Sequence, residues 1–271
     1  MKKIIKYLLS KIGIAISKAD PSTAKYQWYY NAALMKRRYV PRTCKFEGQT
    51  LYTHDYISFV AGVYDLFQND ILKFKADNDS PYIIDCGANI GMSVLYFKML
   101  YPNSTVVAFE ADPLIFSYLE KNMKSCKFSK VQTINRAVWN SSDEILSFMS
   151  EGGVAGRIQE KLEGFTMVDV KTVRLKDFLD RPVDFLKIDI EGAEYTVIQD
   201  CREKLPNVQN LFIEYHSFYD TEQHLDSLLA IVKDAGFRYH LTKVHTSRQP
   251  FVERELNLGM DLQLNVFCYR G

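Results

Sequence analysis

The sequence "YIIDCGANIGMSVLYF", residues 82–97, contains the pattern that decides the fold. The residues up to Cys86 are typical of a short strand buried on both faces, and a glycine-bearing turn leads from them into an apolar helix. Strand, tight turn and helix form the first part of a βαβ unit. The stretch therefore predicts a parallel sheet whose ligands bind beyond the carboxyl end of this strand.

The rest of the chain continues to alternate strand and helix at short spacing. Helices are predicted over "PLIFSYLEKNMKS", "AEYTVIQDCREKL" and "TEQHLDSLLAIVKDAGF". Strands are predicted over "STVVAFE", "KVQTINRAVW", "TMVDVKTVRL", "VDFLKIDI" and "VQNLFIEYH", with two more near residues 237–244 and 261–269. This order predicts a doubly wound α/β fold, with a mostly parallel sheet and helices on both faces. Because the last strands have no helix between them, we expect them to pair antiparallel.

Charge divides the chain into two parts. Residues 1–45 contain eleven Lys/Arg and one acid, Asp20, although the whole chain has a formal net charge of +1. We therefore expect a basic, aromatic-rich helical extension over residues 1–50 and a separate folded domain over residues 51–271.

The first 18 residues, "MKKIIKYLLSKIGIAISK", have the pattern of an amphipathic basic helix. Two interpretations stay open: the helix rests on an anionic membrane surface, or it packs on its own domain or a partner subunit. No stretch is long and apolar enough to span a bilayer, and the five cysteines include no C-x-x-C pair. We expect a cytoplasmic protein with reduced thiols, which on the first interpretation contacts the inner face of the membrane through residues 1–18.

Acidic residues lie at the ends of the first two strands, where sheets of this class bind ligands. Asp85 precedes the first glycine of a turn that lacks the G-x-G-x-x-G pattern of dinucleotide-binding proteins. A carboxylate there suits a ligand with a cationic amino group better than one with a pyrophosphate. Glu110 ends the next strand, 25 residues later, and can accept hydrogen bonds from both ribose hydroxyls. Together these acids favour S-adenosylmethionine over a nicotinamide dinucleotide.

Two later strands end in groups suited to acid–base or metal chemistry. "KIDIEGAE" places Asp189, Glu191 and Glu194 after an apolar strand. Glu214 and His216 alternate with apolar residues in "LFIEYH", so their side chains share one side of the strand. A histidine beside carboxylates is suited to act as a general base or a metal ligand. Whether these side chains hold a divalent cation stays open.

Five segments, in this order and spacing, resemble the FkbM-type family of S-adenosylmethionine-dependent methyltransferases: "IIDCGANIGMSVLYF", "VVAFEADPLIFSYLEKN", "INRAV", "DFLKIDIEGAEYTVI" and "LFIEYH". The resemblance covers roughly residues 80–216. D-x-G-A-N-I-G is widespread among methyltransferases, whereas K-I-D-I-E-G-A-E in this position is close to a family signature. The chain departs from the family pattern at "FEADP", where many members have F-E-P. We expect Glu110 to contact the ribose despite this difference.

The resemblance implies a seven-stranded Rossmann-like methyltransferase sheet. It also implies methyl transfer from S-adenosylmethionine to a hydroxyl of a sugar, a glycolipid or polysaccharide, or a related natural product, without a nucleic acid partner. By position, the cofactor-binding residues are Asp85, Gly87, Ala88, Asn89, Gly91, Glu110, Ala111, Asn135, Ala137 and Asp189. The catalytic candidates are Asp189, Glu191, Glu214 and His216, with Glu194 on the acceptor side. Residues 140–170 are expected to form a wall of the acceptor pocket, since loops tend to carry specificity.

Three alternatives compete with this interpretation. The first is a nicotinamide-dependent oxidoreductase. The second is a nucleic acid methyltransferase, although "DIEG" occupies the place where base-amine methyltransferases usually have an Asn/Asp-Pro-Pro-aromatic motif. The third is a binding module without catalysis, against which the presence of both Asp85 and Glu110 argues.

Overall fold

A computed structural model describes residues 25–150 and 166–270 of the 271-residue chain. Across its main sheet the strands lie in the order β11 (Arg238–Thr246), β12 (Met260–Tyr269), β10 (Val208–Phe218), β9 (Val183–Ile188), β3 (Tyr82–Cys86), β4 (Thr105–Phe109) and β5 (Val131–Ile134). From β10 to β5 all neighbours are parallel, whereas β12 is antiparallel to both β10 and β11. The predicted seven-stranded, mostly parallel sheet is confirmed.

Helices cover both faces of this sheet because its central strands are apolar on both sides. Consecutive residues of β3 face different cores: Ile83 packs on one side and Ile84 on the other. The Ile83 side is covered by α3 (Met92–Leu100) and α4 (Pro113–Cys126). The Ile84 side is covered by α5 (Glu194–Cys201) and α6 (Leu225–Asp234). The doubly wound architecture is therefore as the sequence predicts.

The strand predicted over "KVQTINRAVW" is divided in the structure. β5 ends at Ile134, and β6 (Ala137–Trp139) leaves the main sheet to join β8 (Thr166–Arg174) and β7 (Ile145–Ser150) in a sheet of order β6-β8-β7. The side-chain amide of Asn135 donates hydrogen bonds to the carbonyl oxygens of Glu110 and Ala111, each at 2.9 Å. This tertiary contact holds the chain out of strand geometry between the two segments.

The chain before β3 forms two short helices and a hairpin: α1 (Gln27–Ala33), β1 (Arg42–Phe46), β2 (Gln49–Thr53) and α2 (Tyr56–Gly62). A π-helical turn (Val63–Gln68) continues α2. The Phe46 ring lies 5.8 Å from the Phe59 ring, and both are buried in the core that α3 and α4 share. The described part of the basic extension thus packs into the core of the domain, and its hairpin crosses residue 50.

The amphipathic helix predicted over residues 1–18 lies outside the described residues, so its membrane contact stays a prediction. The division of the chain into two parts at residue 50 also stays a prediction. Within the described ranges no helix is long and apolar enough to cross a bilayer. All five cysteines are buried free thiols, in agreement with the sequence.

Asn122 of α4 connects the helix, the hairpin and the turn after β3. Its side-chain oxygen accepts a hydrogen bond from Tyr52 N at 2.7 Å, and its amide donates to Tyr52 O at 2.9 Å and Ile90 O at 2.8 Å. Asn122 is 1% exposed, so water cannot replace these partners.

We expect Asn122→Ala to lower the free energy of unfolding by about 3 kcal/mol, because two partly buried backbone groups of Tyr52 and the buried carbonyl of Ile90 lose their side-chain partner. Urea unfolding followed by circular dichroism measures the change. The matched control is Lys124→Ala on the exposed face of the same helix, which should change stability by less than about 0.5 kcal/mol. Equal losses in the two variants would contradict this role of Asn122.

Candidate active site

The order in which the chain adds strands reverses between β3 and β9, and a cleft opens at the carboxyl ends of these two parallel strands. From β3 the chain moves to β4 and β5 on one side, then returns to β9 and β10 on the other. Such a switch point is the usual ligand site of a doubly wound sheet. The acids that the sequence places at strand ends meet here.

The turn after β3 approaches β9 so closely that only glycine fits at position 87. Gly87 has a φ of +84°, and a Cβ there would lie 1.8 Å from the carbonyl oxygen of Asp189. The backbone N–H groups of Gly87 and Ala88 both donate to Phe109 O, at 3.0 and 2.8 Å. The turn is therefore fixed between the ends of β4 and β9, with Asn89 facing the cavity described below.

Glu110 lies immediately beyond the end of β4. Its carboxylate accepts hydrogen bonds from the backbone N–H groups of Asn89 at 2.8 Å and Asp112 at 2.9 Å. Burial raises the pKa of Glu110 to about 7, although these two hydrogen bonds act in the opposite direction. The Asn135 amide holds the carbonyl groups of Glu110 and Ala111 from the other side. Asn135 thus shapes the loop that carries Glu110, while Ala137 is buried in β6.

Lys187 is a buried cation in strand β9, where it lies between the buried apolar residues Leu186 and Ile188. Its Nζ lies 3.3 Å from Asp85 Oδ1 and 3.1 Å from Asp189 Oδ2, and donates a hydrogen bond to Gly87 O at 2.8 Å. Burial lowers the pKa of Lys187, but Asp189 and Asp85 outweigh it and hold the pKa above its ordinary value. The Asp85 side chain is fully buried here, with Ser93 Oγ donating to its other oxygen. Lys187 therefore ties the ends of β3 and β9 together.

Four side chains meet in front of β9 and β10: Asp189, Glu191, Glu214 and His216, hereafter the acidic cluster. His216 Nε2 lies 3.5 Å from Glu191 Oε2 and 3.8 Å from Glu214 Oε1. One donor atom each from Asp189, Glu214 and His216 lie within 4.8 Å of one another. Glu214 and His216 face the same side of β10, as their alternation in the sequence predicts.

Glu194 has a different environment from the acidic cluster. Its side chain is 1% exposed, and it accepts hydrogen bonds from the backbone N–H groups of Ile190 at 3.2 Å and Gly192 at 3.0 Å. The same oxygen lies 3.0 Å from His216 Nδ1. Because Glu194 is enclosed by these partners, it orients the His216 ring rather than facing a ligand.

The acidic cluster brings like charges together in a buried space. Burial raises the pKa of Glu214 to about 8, and Asp189 adds to this effect. Burial likewise raises the pKa of Glu191 well above its ordinary value, against the influence of His216. Burial lowers the pKa of His216, but Glu191 and Glu194 outweigh it, so the pKa lies well above its ordinary value. For the two glutamates burial is the main cause of the raised pKa and the neighbouring carboxylates add to it, whereas the pKa of His216 is raised by its attraction to carboxylates.

A cavity of about 270 Å³ joins the turn after β3 to the acidic cluster. Part of its lining comes from regions that the sequence did not indicate: α2 with its π-helical turn, and the segment joining β11 to β12. Asp65 of the π-helical turn faces this cavity, and burial raises its pKa to about 6, with Asp189 adding to the effect. An acid within the apolar run "FVAGVYDLF" was the available signal. Of the wall expected from residues 140–170, residues 151–165 lie outside the described part of the chain.

Comparison with known proteins shows to which family the chain belongs. A family model described as "Methyltransferase FkbM domain" matches residues 85–239. The chain belongs to the FkbM methyltransferase family. "Methyltransferase 1" of Beauveria bassiana (strain ARSEF 2860) is 34% identical to it, over 59% of this chain and 73% of the relative. The "31-O-demethyl-FK506 methyltransferase FkbM" of Streptomyces tacrolimicus is 25% identical, over 57% of this chain and 72% of the relative.

Two further matches are more distant. The "2-O-methyltransferase NoeI" of Sinorhizobium fredii (strain NBRC 101917 / NGR234) is 22% identical, over 58% of this chain and 72% of the relative. The crystal structure of "Methyltransferase FkbM" from Methylobacillus flagellatus KT is 15% identical, with a TM-score of 0.49 over 99% of this chain and 58% of that chain.

This FkbM-family chain is therefore a methyltransferase whose cofactor is S-adenosylmethionine. The residues present fit that cofactor. Glu110 supplies a buried carboxylate suited to ribose hydroxyls, and the turn carrying Asn89 leads from it into the cavity. The negative character of the acidic cluster suits a sulfonium. The individual role of each predicted site residue stays a prediction.

We expect Lys187→Met to lower the free energy of unfolding by about 3–5 kcal/mol, since it leaves Asp85 and Asp189 without their buried cation. The control is Lys176→Met, which removes an ion pair to Glu203, a side chain that is 68% exposed, and should cost less than about 1 kcal/mol. Chemical denaturation of both variants provides the comparison. A Lys187→Met protein as stable as the control would show that the ion pairs do not organise the cleft.

Proposed function

We propose that this methyltransferase transfers the methyl group of S-adenosylmethionine to a hydroxyl oxygen of a sugar, a glycolipid or polysaccharide, or a related natural product. The observation that carries the proposal is the acidic cluster: Asp189, Glu191 and Glu214 line the same cavity as the turn after β3, and His216 Nε2 lies 3.5 Å from Glu191. Carboxylates and a histidine at the reaction centre suit an acceptor that must be hydrogen-bonded and must lose a proton. The printed names of two relatives, a 31-O-demethyl-FK506 methyltransferase and a 2-O-methyltransferase, support oxygen as the acceptor atom.

The cofactor is assigned to the side of the cleft formed by β3, β4 and β5. Glu110 accepts hydrogen bonds from the ribose hydroxyls, and its loop is held in place by Asn135. Residues of the turn, from Gly87 to Gly91, hold the methionine portion, with Asp85 supporting them through Lys187. Ala111, Asn135 and Ala137 flank the adenine. Asp189 then lies where the methyl group meets the acceptor.

The acceptor hydroxyl is assigned to the acidic cluster. Bound S-adenosylmethionine supplies a sulfonium methyl group, whose carbon–sulfur bond breaks as the oxygen–carbon bond forms, leaving the electron pair on sulfur. The side chains of Asp189 and Glu214 align the acceptor for this in-line displacement. Glu191, 3.5 Å from His216 Nε2, is placed to receive the hydroxyl proton and pass it to water. His216, oriented by Glu194, holds the acceptor side of the cavity in position.

We expect Glu110→Gln to weaken binding of S-adenosylhomocysteine by about 10- to 100-fold, because charge-assisted hydrogen bonds to the ribose are lost. Isothermal titration calorimetry measures the affinity, and Glu120→Gln on the exposed face of α4 is the matched control. An analogue lacking the ribose 2′- and 3′-hydroxyls separates this contact from a general disturbance of the loop. Wild type and Glu110→Gln should bind that analogue with similar affinity, and a persistent difference would contradict the ribose contact.

The acceptor class is tested by incubating the full chain with methyl-labelled S-adenosylmethionine and extracts containing glycans, glycolipids or polyketide-type compounds. We expect label in a methyl ether of one of these fractions. Asp189→Asn should reduce the rate at least 100-fold while retaining affinity for S-adenosylhomocysteine within about tenfold. Label found only in nucleic acid, or only on nitrogen, would overturn the proposal.

A further inference from the structure

Three donor atoms of the acidic cluster already lie close to the arrangement that a metal ion requires. The ligand atoms of Asp189, Glu214 and His216 are within 4.8 Å of one another. Around an octahedral ion with ligands at about 2.1 Å, neighbouring and opposite ligand atoms are about 3 to 4.2 Å apart. Asp189 follows β9 directly, and Glu214 and His216 lie on the neighbouring strand β10, so the three donor atoms have to move by only about 1 Å to reach these separations.

His216 is held in the manner of a histidine that ligates a metal. The residue is 5% exposed, and its Nδ1 lies 3.0 Å from the enclosed carboxylate of Glu194. Backbone N–H groups fix that carboxylate in turn. A histidine whose second nitrogen is bound by a carboxylate has its ring orientation and tautomer set in advance. The Nε2 atom is thereby directed at Glu191 and Glu214.

Acidic side chains outnumber the Lys and Arg side chains among the described residues that line the cavity. Asp65, Asp189, Glu191 and Glu214 all face it. Arg38 and Lys187 are the Lys/Arg side chains among the described residues that line it. Arg38 is engaged by Asp55 through two hydrogen bonds, at 2.9 and 2.8 Å, and Lys187 by Asp85 and Asp189. Both cations are therefore already paired.

We propose that Asp189, Glu214 and His216 bind one divalent cation of the Mg²⁺ or Mn²⁺ class, and that this ion contacts the acceptor oxygen. Carboxylate ligands select hard divalent ions, and the imidazole favours Mn²⁺ within that class. The ion positions the acceptor and lowers the pKa of its hydroxyl, so that the proton leaves more readily toward Glu191. This catalytic part rests on the proposed function, whereas the binding site does not.

The side chain of Gln263 has to move when the cation binds, which allows a further test of the site. Its amide donates to Glu214 Oε1 and lies 3.2 Å from His216 Nε2, so it occupies the space between two of the three ligands. Binding of the ion requires this amide to release both partners. We therefore expect Gln263→Ala to bind the cation at least as tightly as wild type.

The test uses Mn²⁺ alone, titrated into the chelator-treated full chain and followed by the electron paramagnetic resonance signal of free Mn²⁺. We expect one site per chain, at least tenfold weaker in Glu214→Gln and in His216→Gln. Asp65→Asn is the matched control, because it removes an acid of the same cavity that is not a proposed ligand. Its affinity should change less than threefold. Thermal melting of each variant without metal confirms that it is folded.

A second readout identifies the ligand directly. Electron–nuclear double resonance of the bound Mn²⁺ should show a nitrogen coupling, and His216→Gln should abolish it. No binding at millimolar Mn²⁺, or equal weakening in Asp65→Asn and Glu214→Gln, would overturn the site. Labelled methyl transfer that persists in chelator, with no Mn²⁺ bound, would reject the cation and leave the proposed function standing. Tight Mn²⁺ binding without O-methylation would support the site and reject the acceptor class.

Discussion

The buried ion pairs of Lys187 are the constraint on which the cleft depends. A buried cation within a strand is stable only with charged partners, and here they come from the ends of two strands, Asp85 near the end of β3 and Asp189 immediately after β9. The same ammonium donates to Gly87 O, where only a glycine allows the turn to reach β9. The cofactor turn and the reaction side of the cleft are thereby held at a fixed separation.

The acidic residues of the cleft fall into three groups that differ in their surroundings. Asp85 and Glu194 are enclosed by partners and act on other groups: Asp85 holds Lys187, and Glu194 orients His216. The Glu110 carboxylate accepts hydrogen bonds from backbone N–H groups of two loops, which hold it in a position suited to accept hydrogen bonds from hydroxyl groups. A third group faces the cavity: Asp189, Glu191 and Glu214 of the acidic cluster, together with Asp65. One short stretch, "KIDIEGAE", thus contains an enclosed carboxylate, Glu194, and two that line the cavity, Asp189 and Glu191.

The sequence predicts the sheet, and it predicts that acids from the strand ends lie at one edge of it, because both follow from local pattern. Apolar runs define the buried strands, and an acid after such a run, as in Asp189, must lie at the ligand edge of a parallel sheet. Contacts between segments that are far apart in the sequence cannot be predicted from local pattern. The break after Ile134 depends on an amide contact to the loop beyond β4, and the contribution of Asp65 depends on how a π-helical turn docks over the cavity. The pairing of Lys187 with both acids appears only once β3 and β9 are neighbours.

The most direct measurement is a crystal structure of the full chain with S-adenosylhomocysteine bound. The ribose hydroxyls should contact the Glu110 carboxylate, and the amino acid portion should lie along the turn from Gly87 to Gly91. The sulfur should then face the cavity beside Asp189. A nucleoside bound away from Glu110, or a sulfur separated from the acidic cluster by the wall of the cleft, would contradict the assignment of this cleft as the site of methyl transfer.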